Sequence, residues 1–148
     1  MGRHSTLGAT GIQGTQLVAD ELVSRGYKAN VMSPYNRGFD ISCVSPGGRS
    51  FRVEVKCSTS AGTQVPLQTK SHLDASHQSD LFYVFVRPVD ASSGVAVFFV
   101  MTHSEIQAAW AKMPRMKPDG TPYVIGATGY IDWKHINPHR AGWHKLPT

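Results

Sequence analysis

Cysteine is scarce in this sequence: Cys43 and Cys57 are the only two in 148 residues. Two thiols, both inside apparent strands, exclude a disulfide scaffold and a cysteine-rich zinc site. Acidic residues are few as well, 10 against 15 Lys and Arg, giving a formal charge of +5. That mild basic excess suits a polyanionic partner without identifying one. No apolar run approaches the about 20 residues of a membrane span, and the N-terminus has no signal-peptide pattern. A cytoplasmic protein without a membrane partner is therefore expected. Internal repeats and linker-like stretches are missing too, so residues 1–148 are read as one domain with a core of its own.

What is present is a mixed pattern. Met1 to Thr10 is polar and aperiodic and reads as a lead-in. From Ile12 to Arg25 the spacing is helical, with Val18, Leu22 and Arg25 on one stripe and Gly26 as a C-cap. Strands follow at 27–32, 39–44 and 51–57. Ser58 to Asp80 is polar and irregular, with a short helix allowed near Leu73. Strands return at 81–87 and 95–101 around a turn, then a helix at 104–112 capped by Thr102 or His103. The tail carries a strand at 129–133 and a segment anchored by Trp143. This is an α/β chain without regular βαβ alternation.

One stretch has chemistry that its structure alone does not need. Phe39-Asp40-Ile41 is followed by a Pro-Gly-Gly turn and then Val53-Glu54-Val55-Lys56. In a strand, Glu54 and Lys56 share one face while Val53 and Val55 supply the other to a core. Two carboxylates beside an ammonium are what metal-assisted phosphodiester cleavage uses. Asp40 and Glu54 offer hard oxygens to Mg²⁺ (or Mn²⁺), the Val55 backbone carbonyl between the side chains is a further ligand, and Lys56 faces the phosphate. Convergence requires Asp40 to pair with Glu54 or Lys56. A two-residue Gly47-Gly48 turn would pair it with Val55 and aim it away. A three- or five-residue loop, or a bulge, around Pro46 to Arg49 is therefore expected.

These residues resemble the PD-(D/E)xK nuclease superfamily, which has the restriction-endonuclease-like fold. The likeness extends from the helix ending in Gly26-Tyr27 through Asp40 and Glu54-Val55-Lys56. It continues through Asp80-Leu-Phe-Tyr-Val-Phe-Val86 and Phe98-Phe-Val-Met101 to Trp143-His-Lys-Leu146, similar to small intron-encoded and uncharacterised prokaryotic endonucleases. The resemblance implies a central mixed β-sheet flanked by helices and metal-dependent hydrolysis of DNA. It gives Asp40 and Glu54 as metal ligands and Lys56 as the catalytic lysine. It also implies a homodimer, since small members pair to cut two strands. Phe39 replaces the usual proline. Thr15 stands where many members carry a helix glutamate, which removes the usual support for a second metal.

In such a fold the segment after the third strand borders the cleft. Ser58, Gln68, Lys70 and His72, with Arg37 just before Asp40, are then candidate nucleic-acid contacts of suitable chemistry. Thr15 also leaves open a catalytically inactive nucleic-acid-binding relative. A third reading is an NAD(P)-binding oxidoreductase, from Gly8-Ala-Thr-Gly11-Ile-Gln-Gly14. That loop needs a buried strand before it, and Met1 to Leu7 is too short and polar. His135, His139 and His144 are read as surface or packing residues, because Pro138 breaks the spacing that zinc would need.

Overall fold

The computed structural model describes residues 7–33, 39–58, 64–69, 78–88, 95–113, 116–121 and 128–148. Arg37, Lys70, His72 and Leu73 lie outside them, as does the side chain of Gln68. The elements are α1 (Leu7–Ser24), β1 (Lys28–Val31), β2 (Ile41–Val44), β3 (Ser50–Cys57), β4 (Gln64–Thr69), β5 (Leu81–Pro88) and β6 (Ala96–Thr102). Then come α2 (His103–Ala111), β7 (Thr128–Asp132), α3 (Trp133–Ile136) and single 3-10 turns at Asn137–His139 and Trp143–Lys145.

Five strands form a mixed sheet in the order β1-β2-β3-β5-β6, and β4 pairs with β7 in a separate ribbon. Only β3 and β5 run parallel; the other neighbours are antiparallel. Helices flank the sheet, so the expected mixed α/β architecture is the one observed.

Strand alternation divides the core in two. Val53 and Val55 of β3 join Phe82, Val84 and Val86 of β5 under α1, whose Val18, Ala19 and Leu22 are buried against them, with Trp143 and Leu146 from the tail. The opposite face carries Tyr83 and Phe85 of β5 and Phe99 and Met101 of β6. It is covered by α2, the β4–β7 ribbon and Trp133. Glu54 and Lys56 rise on this second face, at the side where the apolar cover gives way.

α1 lies directly on β3. A Cβ on Gly14 would stand 2.9 Å from Cys57 Cβ, so only glycine admits this approach. The helix ends at Gly26, whose φ of +92° takes the left-handed turn expected of a C-cap. It starts earlier than the sequence suggests: residues 7–10 are helical, not a lead-in. Gly8, Gly11 and Gly14 are therefore helix residues, and no strand precedes them among the described residues. A dinucleotide loop has no place there. The polar segment after β3 is also corrected, since it holds β4. Trp133 opens α3 and does not end the preceding strand.

The tail is tied down by Lys145. Its Nζ donates to Val100 O and Glu105 Oε1, each at 3.0 Å, and stands 2.7 Å from His139 Nδ1. An ammonium only donates, so His139 Nδ1 accepts and the ring is neutral. Glu105 also closes the α2 capping box with Thr102. Burial, then the Lys145 charge, holds the His139 pKa below its usual value, with Glu105 opposing. A base whose folded pKa is lowered takes up protons more readily when unfolded, so stability rises with pH through that window. The thermal midpoint is expected to climb between about pH 5 and pH 7, levelling above the unfolded histidine value of about 6.5. His139→Gln should flatten that rise in a calorimetric pH series.

Candidate active site

The site begins with the β2–β3 register. Val44 pairs with Ser50 and Ile41 with Val53, which leaves a five-residue loop, Ser45 to Arg49. Gly48 in that loop takes φ +91°, and Ser45 Oγ accepts the Arg49 N–H at 2.9 Å. Five is an odd number, and the ladder stops at Ile41–Val53, one residue short of Asp40. The Asp40 N–H donates to Val53 O at 3.0 Å, and Met32 N–H donates to Asp40 O at 2.9 Å. Asp40 is thus fixed between β1 and β3.

Its carboxylate reaches β3 itself: Asp40 Oδ2 accepts the Val55 N–H at 2.7 Å. Backbone parity explains why that donor is available. Arg52 and Ser58 aim their amides at β5, so Val53 and Val55 aim theirs at the β2 side. β2 begins at Ile41, so an ordinary ladder partner for Val55 is missing and the Asp40 side chain takes its place. A strand residue sends its N–H and C=O to the same side, so the Val55 carbonyl is directed toward the same edge.

Glu54 is 5% exposed, and its Oε1 lies 3.3 Å from Lys56 Nζ. A buried ion pair is a poor device for stability, because desolvating both charges offsets their attraction. An apolar pair would serve the strand equally well, so strand stability alone does not account for Glu54 and Lys56. Tyr83 pairs with Glu54 across β3–β5. Its phenol is pushed up to about 12, mainly by burial and further by the Glu54 carboxylate, with Arg52 opposing. It therefore stays neutral beside the acid.

Arg52, two residues before Glu54 on the same face, clasps Asp80 through two hydrogen bonds of 2.9 and 3.2 Å and also donates to Gln78 Oε1. Its guanidinium lies 5.7 Å from the Phe39 ring centroid. It thus ties the residue preceding Asp40 to the chain leading into β5. The hydrogen bonds to Arg52 hold the Asp80 carboxyl below its usual range. The sequence reading missed this clasp.

Of the remaining candidates, Ser58 stands just beyond β3, where its N–H donates to Val86 O at 2.9 Å. The backbone of Gln68 lies in β4, away from the hairpin in sequence and pairing. Burial pushes the Cys43 thiol up to about 12 and raises Cys57 as well, so neither is primed as a nucleophile. Among the described residues, no group of three His, Cys, Asp or Glu side chains is gathered for a metal. A cation at Asp40 and Glu54 would draw its other ligands from backbone, water or substrate. The donors that are present, two carboxylates and a carbonyl, are the hard oxygens Mg²⁺ takes and are unlike a zinc set.

A five-stranded mixed sheet with helices on both faces defines a mixed α/β domain. Comparison with solved structures agrees on the fold. The chain superposes on the bacterial homing endonuclease I-Ssp6803I with a TM-score of 0.54 at 10% identity, covering 95% of this chain and 91% of that one. The profile of the family described as Protein NO VEIN, C-terminal, matches residues 13–100, and the chain belongs to that family. The matched span includes Asp40, Glu54 and Lys56. No curated protein matches the chain. No described helix is long and apolar enough to cross a membrane.

Proposed function

We propose that this protein is a divalent-metal-dependent endonuclease that hydrolyses phosphodiester bonds in DNA. The supporting observation is the 2.7 Å hydrogen bond from Val55 N–H to Asp40 Oδ2. It draws one carboxylate to the strand that carries Glu54 and Lys56. In this reading Asp40, Glu54 and the Val55 carbonyl hold Mg²⁺ or Mn²⁺. When bound, the ion supplies Lewis-acid stabilisation of the phosphate and acidifies a coordinated water. Lys56 stands beside the attacked phosphate, orients the water and offsets charge as the fifth oxygen approaches phosphorus. Arg52 keeps the Phe39–Asp40 segment in place through its clasp on Asp80.

The fold likeness to a homing endonuclease supports this reading at the level of architecture, and the basic charge of +5 suits a DNA partner. The test is incubation of supercoiled plasmid with Mg²⁺ or Mn²⁺, with EDTA as control. Metal-dependent nicking or linearisation is expected. Cleavage that survives in EDTA, or in both Asp40→Ala and Lys56→Ala, would overturn the assignment. Thr15 supports a second reading, a nucleic-acid-binding relative without turnover, because it supplies no carboxylate from α1. Salt-sensitive DNA binding without any cleavage would favour that one.

A further inference from the structure

We propose that Arg87 binds a backbone phosphate of the nucleic acid beside the bond being cut, which makes it a substrate-binding residue of the same site. This rests on the nuclease reading above. Alternation along β5 puts Tyr83, Phe85 and Arg87 on the face that carries Glu54 and Lys56. Phe85 pairs with Lys56, and Arg87 is two residues further along. Strand spacing and rise place the Arg87 and Lys56 Cα atoms about 8 Å apart. That distance is short enough for the two cations to meet neighbouring phosphates of one strand.

The guanidinium is held ready. Its central carbon lies 4.8 Å from the Trp133 ring centroid and 5.0 Å from that of Phe99. Aromatic contacts use the face of the guanidinium plane and leave its N–H fork at the edges, where phosphate oxygens are bound. Two other arginines spend their charge internally, Arg25 on Glu21 and Arg52 on Asp80. Among the described residues no carboxylate pairs with Arg87. A half-buried cation without an acid partner is costly unless an anion arrives.

Its location fits a ligand. The Ser58 N–H bond to Val86 O carries the parallel β3–β5 ladder one step further, so Ser58 stands next to Arg87. Both lie at the C-terminal ends of the parallel strands, where open α/β sheets collect their ligands. The competing account is that Arg87 only lays its aliphatic stem over the Phe99–Trp133 cluster.

Binding of a fluorescein-labelled DNA duplex, followed by anisotropy over a KCl series, separates the two. The parent is Lys56→Ala, so that the probe is not consumed. Adding Arg87→Met keeps most of the stem and removes the charge. Affinity should fall about tenfold, and the slope of log K against log salt should drop by about one. Arg87→Lys keeps the charge and loses the fork, so its slope should match the parent's while its affinity falls short. Unchanged affinity and slope in Arg87→Met, with only the thermal midpoint lowered, would make Arg87 a packing residue and overturn the inference. If Arg87→Met does not fold, Arg87→Lys decides, and parental affinity there overturns it. A Lys56→Ala parent that binds no DNA at any salt would bring down the nuclease reading itself.

Discussion

Lys56→Ala is expected to reduce DNA cleavage by about 10³-fold, since the lost ammonium stabilises charge that grows only in the transition state. Substrate affinity should change far less, so the loss falls on kcat and not on KM. The variant has a structural signature as well. Glu54 is 5% exposed and Lys56 Nζ is its partner at 3.3 Å. Removing that partner leaves a buried carboxylate less compensated, so the thermal midpoint in EDTA should fall. Mn²⁺ should recover much of the lost stability, because a ligand bound only by the folded chain stabilises it by mass action. Single-turnover kinetics and paired melts with and without Mn²⁺ check both parts. Near-normal kcat in Lys56→Ala would remove lysine from the chemistry.

Asp40 separates architecture from charge. Its Oδ2 accepts the Val55 N–H at 2.7 Å. Asn can accept the same hydrogen bond through its carbonyl oxygen, while Ala cannot. Asp40→Asn should therefore keep the fold yet lose Mn²⁺ affinity by at least about tenfold and cleavage by about 10²-fold or more, because a neutral amide is a poor ligand for a hard cation. Asp40→Ala should share those losses and also cost about 1–3 kcal/mol of stability, as the Val55 donor is left without its acceptor. Isothermal titration with Mn²⁺ and urea unfolding distinguish the two. Equal Mn²⁺ affinity in wild type and Asp40→Asn would remove Asp40 from the ligand set.

The hairpin was legible in the sequence for a definite reason. Strand period and loop parity together dictate which side chains share a face; they called for a three- or five-residue loop, or a bulge, and the loop has five residues. The Val53–Val55 face needed a core, and α1 provides it. Other features were hidden by physics that acts elsewhere in the chain. β4 contains Pro66, which argues against a strand, yet Val65 and Leu67 on either side are buried and the segment pairs with β7, Val65 opposite Ile131. Gly8 and Gly11 disfavour a helix locally, so α1 appeared to begin later than it does. The Arg52 clasp joins residues 26 and 28 positions apart. Nothing local in the sequence marks such a pairing. Arg87 was visible as the polar end of an apolar strand. The contacts of its guanidinium with Phe99 and Trp133 join distant parts of the chain and have no local mark in the sequence.

The strand alternation that divides the core also gives β3 one apolar and one charged face. One face of β3 is wholly committed to α1, with Val53 fully buried. The other is apolar over β5 and β6 and turns charged at β3. A sheet that needed only burial would continue Leu81, Tyr83 and Phe85 with apolar neighbours. It has Arg52, Glu54 and Lys56 instead.

The most direct measurement is anomalous scattering from a crystal soaked in Mn²⁺. The account predicts one ion bound between the carboxylates of Asp40 and Glu54, with the Val55 carbonyl oxygen among its ligands. An ion seated elsewhere, or none at saturating Mn²⁺ with both carboxylates ordered, would contradict it.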